Sequence, residues 1–368
     1  MIVASAPGRA GIIGNPSDMY GGSVISCSTA ERAYVSIEPA ERLILESDQG
    51  QIEIQRRSDL RLAGDHFDIL RAVIAHQRLF ELKAHLRCWS EVPFAAGLSS
   101  STALLAAALR AVQEFLGICH NPYHFAELAR AIELNQMDCV CGYQDQYMAT
   151  FGGLNFLDFR DKEFYREVFS EPYATVEPLH ERGVELPPLI LAHTGVQRSS
   201  GAVHKPIRER WLEGDREVVD AYIAVAKLAR EGKKAMLLKD WSQLGTLMNE
   251  NHDIQRQLGG SGPENERLIA VALRHGAWGA KLAGAGQGGT IIAIHPQPGA
   301  LIAPLTAAGA HRIIVPQSQP GVRCEPASTV AWPDRTRQLH PATTGRAAGV
   351  DAAKRAEPAA SRSLKVAG

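Results

Sequence analysis

Residues 93–112 read PFAAGLSSSTALLAAALRAV. A loop of small residues and three serines runs without a break into an alanine- and leucine-rich helix. The start of a helix leaves unpaired N–H groups and carries partial positive charge. Glycine and small side chains ahead of it let an anion approach the backbone. Hydroxyls there can meet phosphate oxygens or a hard cation such as Mg²⁺, which takes oxygen ligands. The stretch matches neither the phosphate-loop pattern GxxxxGK[ST] nor the serine-nucleophile pattern GxSxG. Taken alone it has two readings. One is a phosphate cradle of another kind; the other is a serine-rich start to a core helix, with Thr102 or a neighbouring serine as the cap.

Outward from this loop, apolar spacing gives the remaining elements. IVASAPGR (2–9) reads as a short strand ending in a Pro-Gly turn. GSVISCSTAERAYVSIEP (22–39), RLILES (42–47) and QIEIQR (51–56) alternate as strands. FDILRAVIAHQRLF (67–80) is helical, ELKAHLRCWSEVP (81–93) a strand, and PYHFAELARAIELNQ (122–136) a helix. In GYQDQYMATFGGLNFLDF (142–159) a helical turn passes through Gly152 and Gly153 into a strand. The second half opens with the strand PPLILAHTG (187–195), followed by helices near 203–212, 216–231 and 241–258. RLIAVALRHG (267–276) is a helix stopped by Gly276. Two strands then flank a glycine loop in AKLAGAGQGGTIIAIHP (280–296), and LIAPLTAAGAHRIIVPQ (301–317) reads helix then strand. The pattern is α+β with two lobes, 1–170 and 171–333. From Asp334 the composition turns to Ala, Arg, Pro, Thr and Gly without apolar period, which predicts a disordered tail over 334–368.

The 368 residues are 45% hydrophobic, and 39 Lys and Arg balance 40 Asp and Glu. That balance argues against a nucleic-acid or membrane-surface protein, both of which need a basic excess. It leaves room for a small anionic ligand held by local groups. The six cysteines include no CxxC pair, and Cys139 and Cys141 are too close for a zinc site. They read as reduced thiols of a cytoplasmic protein. The N-terminus lacks a charged segment before an apolar run, and no stretch reaches the roughly 18 apolar residues of a membrane span. The expected partners are small molecules, and the expected state is a monomer or homodimer.

Carboxylates for chemistry lie in one region, Glu133 on a helix and Asp145 in GYQDQY. A cation bound by a serine hydroxyl and one carboxylate, with a second carboxylate taking a proton from a hydroxyl, makes a workable phosphoryl-transfer site. Arg9 can pair with Asp145 or offset charge on the moving phosphoryl group; a plain structural ion pair is the competing reading. The glycines at 284–289 resemble a dinucleotide fingerprint, but a strand follows them where that motif needs a helix. They read instead as a tight loop.

Three stretches now stand in order: APGRAGIIGNPSDMYGG (6–22), PFAAGLSSSTALL (93–105) and KLAGAGQGGTIIAI (281–294). Together they resemble the GHMP kinases, named for galactokinase, homoserine kinase, mevalonate kinase and phosphomevalonate kinase, over residues 1–325. The resemblance implies an N-terminal lobe like ribosomal protein S5, a ferredoxin-like C-terminal lobe, and ATP with Mg²⁺. It would place Pro93, Gly97, Leu98, Ser99, Ser100, Ser101 and Thr102 around the ATP phosphates. Ser101, with Ser100 as second choice, and Glu133 would hold Mg²⁺. Asp145 would act as base or orienting partner for the attacking hydroxyl, with Arg9 beside it.

The branch is written elsewhere. Galactokinases carry GEHTD where this chain has GNPSD (14–18), and heptose-phosphate kinases carry a GGGTD-like version. GNPSD, SGAVH (200–204) running on through Arg208, Arg210 and Trp211, and residues 228–257 are similar to plant-type glucuronokinases. That likeness implies phosphorylation of D-glucuronate at its 1-hydroxyl. Asn15, Ser17, Asp18, Gly284, Gly286, Gly288, Arg198 and His204 would bind the sugar, with Arg198, His204, Lys205 and Arg208 as candidates for its carboxylate. A kinase of heptose 7-phosphate or another sugar is the alternative. A non-catalytic ATP and sugar sensor would have lost Asp145, Glu133 or a motif serine, and none is missing.

Overall fold

The computed structural model describes residues 1–94, 96–162, 171–196 and 200–330, with the backbone alone at 200–205 and 329. The first half runs β1 (Ile2–Ile13), β2 (Ser23–Pro39), β3 (Leu43–Ser47), β4 (Gly50–Ile54), α1 (Asp68–His76), β5 (Ala84–Ser90), α2 (Ser100–Leu116), α3 (Pro122–Met137), α4 (Gln144–Phe151), β6 (Leu154–Asp158) and β7 (Thr175–Pro178). The second half runs β8 (Leu189–His193), α5 (Ser200–Leu212), α6 (Arg216–Leu237), α7 (Trp241–Gln257), α8 (Pro263–Arg274), β9 (Gly279–Leu282), β10 (Thr290–Ile294), α9 (Ile302–Ala307), β11 (Arg312–Ile314) and β12 (Arg323–Glu325).

These strands form two sheets among the described residues. The larger has the order β12-β1-β2-β5-β3-β4, and β6 and β7 extend it from the first half of β2. The smaller has the order β11-β8-β10-β9 and is antiparallel throughout. Residues 1–331 form one compact unit. Strands β7 and β12 both lie past residue 170, yet both belong to the larger sheet. The predicted boundary at 170 falls on residues outside the description, as does the expected tail, 334–368.

β1 departs from the sequence expectation. No turn forms at Pro7-Gly8; the strand continues for 12 residues, with a register shift against β2 between Pro7 and Arg9. A bulge re-aims a side chain without ending a strand, and here it delivers Arg9. The backbone N–H of Arg9 donates to Leu98 O at 3.0 Å, so the strand grips the serine loop at that point.

α2 lies against β1 and β2 and is buried along most of its length, from Thr102 to Gln113. Its alanines let a helix lie close to a sheet on several faces at once. Gly117 ends it in the left-handed conformation. One continuous apolar core joins α1, α2 and the larger sheet to Leu189, Leu191, Leu244, Met248 and Ile292 of the second half. A second cluster, including Ile190, Leu268, Ala272 and Leu305, fills the other face of the smaller sheet.

Candidate active site

α2 begins with an uncapped end. Ser99, its flanking residue, sits at φ 63°, in the left-handed region, and no side chain caps the first turn. The predicted cap is therefore absent, because each nearby hydroxyl is turned elsewhere. Ser100 Oγ donates to Val92 O at 3.1 Å, and Thr102 Oγ1 donates to Glu133 Oε1 at 2.7 Å. Ser99 Oγ is buried without a partner among the described residues. Ser101 is exposed and faces a cavity. Pro93 is half-buried at the start of the loop. A helix start whose N–H groups face outward uncapped is what an anion needs.

The cavity measures about 130 Å³ and is lined by Arg9, Asn15, Asp18, Ser101, Thr102, Glu133, Asp145 and Gly284, among others. Three stretches remote in sequence thus reach one space. Asp145 stands in the first turn of α4, with Arg9 Nε 2.6 Å from its Oδ1. The same guanidinium donates from Nη1 to Gly97 O at 2.6 Å and lies 3.5 Å from Ala283 O. Arg9 therefore ties the carboxylate to the serine loop and to the glycine hairpin. The hairpin approaches so closely that a Cβ at Gly284 would stand 2.6 Å from Gly97 O. Thr290 Oγ1 locks the same two loops by donating to Ala96 O at 2.7 Å.

Glu133 is buried, and burial pushes its carboxyl above the usual range; the Thr102 hydrogen bond opposes this and the Asp145 charge adds to it. Its second oxygen accepts from Gln146 Nε2. Among the described residues no group of three His, Cys, Asp or Glu could hold a metal by itself. Mg²⁺ does not need one, since it keeps waters and shares phosphate oxygens. A cavity offering the Ser101 hydroxyl, the Glu133 carboxylate and an orphaned Ser99 hydroxyl nearby is an all-oxygen donor set, and it fits such an ion.

One prediction arises here. A carboxyl whose folded value is raised destabilises the fold at every pH above that value, and the penalty fades as pH falls toward its unfolded value. Glu133→Gln should therefore raise the melting temperature at neutral pH, and the gain should shrink as pH falls toward the usual carboxylate range. Thermal melts of both proteins between pH 4 and 8 check it; a lower melting temperature for the variant at pH 7 contradicts it.

Asp18 lines the same cavity, but its Oδ2 accepts from the backbone N–H groups of Tyr143 and Gln144, at 2.8 and 3.0 Å. It holds the entry to α4, two residues before Asp145. Gly142 makes room for it, because a Cβ there would collide with that carboxylate. Asn15 also reaches the cavity, whereas Ser17 is buried and donates to Ser23 O at 3.2 Å. Of the hairpin glycines, Gly284 lines the cavity. Gly286 packs on Gly260, and Gly288 on Val196 and Asn265. Arg198 lies outside the described residues; of His204 and Lys205 only the helical backbone of α5 is described. Arg208 is half-buried and does not line the cavity.

Several participants went unread in the sequence. Gln146 holds Glu133, and Asn265 pins Gly288 by both accepting its N–H and donating to its carbonyl. Lys281 is fully buried behind Asn15. Burial alone separates these residues from ordinary polar positions, and single-sequence spacing carries no such signal.

Comparison with known proteins gives the family. Residues 68–153 match the model of the GHMP kinases N-terminal domain and residues 233–310 that of the GHMP kinases C-terminal domain. The chain is 31% identical over 314 residues to "Probable glucuronokinase 2" of Arabidopsis thaliana, covering 78% of this chain and 83% of the relative. It is 26% identical over 309 residues to the D-glycero-alpha-D-manno-heptose 7-phosphate kinase of Campylobacter jejuni, covering 78% and 87%. The fold superimposes on Streptococcus pneumoniae phosphomevalonate kinase, solved with phosphomevalonate and AMPPNP, with a TM-score of 0.65 at 13% identity, covering 87% of this chain and all of that one. No helix among the described residues is long and apolar enough to cross a membrane. An uncapped serine loop, a glycine hairpin closing on it and an arginine-held aspartate occur here with relatives that share most of the sequence's length, and the chain is a kinase belonging to the GHMP family.

Proposed function

We propose that this protein transfers the γ-phosphoryl group of ATP to the 1-hydroxyl of D-glucuronate, giving glucuronate 1-phosphate and ADP. The observation that carries the transfer chemistry is the placement of Asp145, held by Arg9, in the lining of one small cavity with Ser101 and Glu133. The glucuronokinase relative supports the acceptor. The uncapped start of α2 receives the phosphates through its N–H groups. Mg²⁺, held by Ser101 and Glu133, would neutralise charge developing between the phosphates. Asp145 accepts the hydrogen bond of the attacking hydroxyl and either takes its proton or orients it. Arg9 fixes that carboxylate and adds positive charge where the phosphoryl group passes.

A place for the nucleoside lies at the end of α3. A cavity of about 960 Å³ is lined by Arg57, His76, Arg78, Phe80, Asn135 and Gln136, with the Arg57 guanidinium 4.2 Å from the Phe80 ring centre. The same helix end brings Glu133 and Met137 to the catalytic cavity. A flat apolar ring with polar groups around it suits a base and ribose.

The heptose 7-phosphate relative supports a second acceptor. Against it, the one cation lining the catalytic cavity among the described residues, Arg9, is already committed to Asp145, and a phosphosugar would want more. The test is ADP release measured with glucuronate, galacturonate, galactose, fucose, arabinose and heptose 7-phosphate. Glucuronate should give the highest kcat/KM. Turnover of heptose 7-phosphate with none of the uronates would replace this reading by the second.

A further inference from the structure

Lys281, on β9, is fully buried, and its Nζ donates to Asn15 Oδ1 at 2.7 Å and to Leu282 O at 2.5 Å. Both acceptors are neutral. No carboxylate lies within ion-pair distance of it among the described residues. A buried ammonium without a counter-ion is costly and is normally paired. Burial and the neighbouring Arg9 guanidinium hold this amine well below the usual lysine range. Among the described residues, these are the surroundings of a cation without a counter-ion.

The direction from which that partner would come is set by Asn15. This side chain is 3% exposed and lines the catalytic cavity. Because an ammonium has only donors to offer, Asn15 must turn its Oδ1 toward Lys281. Its Nδ2 is buried with no hydrogen-bond partner. Two donor hydrogens are thus left without an acceptor on a residue that lines the same cavity as Asp18 and Asp145. A buried donor left unmade is expensive, and an anionic oxygen in the cavity would satisfy it while compensating the charge behind it.

We propose that Lys281, acting through Asn15, reads the acidic group of the acceptor: it fixes the amide so that Nδ2 donates to the acceptor's carboxylate, and its positive charge favours that acid over a neutral sugar. Asn15 touches the substrate; Lys281 is a positioning residue. The inference rests on the reading of this cavity as the acceptor's site, and it names an acid-selecting group that the sequence expectation sought instead in Arg198, His204, Lys205 and Arg208.

The experiment compares D-glucuronate with D-glucuronamide, which keeps the ring and replaces the charge by a neutral amide. Wild type should prefer glucuronate. Lys281→Met should lower kcat/KM for glucuronate about tenfold or more, chiefly through KM, while glucuronamide changes less than about twofold and KM for ATP stays unchanged. Asn15→Asp gives Lys281 an internal partner and places a negative charge at the wall, so it should also abolish the preference; it serves as the test if the methionine variant does not fold. An acid-to-amide ratio unchanged in both variants overturns the inference and leaves the proposed reaction standing. Turnover of galacturonate in place of glucuronate, with the same dependence on Lys281, upholds the inference and overturns the substrate. Turnover of neutral sugars alone overturns both.

Discussion

Asp145→Asn lowers kcat by a factor of about 10²–10⁴, the range a positioned proton acceptor contributes, while nucleotide binds as before. The substitution is nearly isosteric, and an amide oxygen can still accept from Arg9 Nε, now 2.6 Å from Oδ1. What it loses is the charge, and with it the ability to take or polarise the hydroxyl proton. Asp145 lines the cavity together with Ser101 and Thr102, and among the described residues its hydrogen bonds reach the serine loop only through Arg9. Nucleotide affinity is therefore insulated from the change, and the loss falls on kcat rather than on the KM for ATP. Steady-state kinetics together with an equilibrium titration of a non-hydrolysable nucleotide separate the two. A variant with near-normal kcat would remove Asp145 from the chemistry.

Arg9→Met is the second large effect, and it strikes stability and rate together. The guanidinium serves Asp145, Gly97 O and Ala283 O at once, one acceptor on each of three segments. Removing it leaves a half-buried carboxylate unpaired, with a cost of about 1.5–3 kcal/mol for a charged hydrogen bond, and loosens the meeting of the two loops. The expected loss in kcat/KM is about 10²–10³, that of one preorganised charge in a phosphoryl-transfer site. Arg9→Lys should recover little of it, because a single ammonium on a flexible stem does not reproduce the rigid fork that serves three acceptors at once. Melting temperatures and kcat/KM of the two variants report this. A lysine variant close to wild type in both would show that Arg9 contributes charge alone.

The parts of this molecule that the sequence disclosed are those whose signal is local. The alanine-leucine run of α2 and the alternation in β2 fall where spacing puts them. The hairpin around residues 283–289 was legible because two apolar runs flank its glycines. The path of β1 was not, because Pro-Gly is a turn signal that tertiary pairing overrode with a bulge. β7 and β12 are too short and too polar to announce themselves, at four and three residues. Within the site, motif position alone made Ser17, Gly286 and Gly288 look equal to Asp18 and Gly284, whereas the structure turns the first three into packing. Lys281 reads as an ordinary charged residue until its burial is known.

β12 has a consequence in time. It seals the outer edge of β1: Ser5 Oγ donates to Glu325, and the Arg32 guanidinium, which also donates to the Ser5 hydroxyl, reaches the carbonyls of Pro320 and Gly321. The partners are 320 residues apart. A ribosome adding about 5–20 residues per second delivers the second partner tens of seconds after the first. Until then β1, with the arginine it carries, has one edge bare. The catalytic cavity is likewise open on one wall until the glycine hairpin has been made. The nascent chain holds Glu133 and Asp145 long before it holds the hairpin that closes over them, so the cavity is complete only once residues 283–289 have been made.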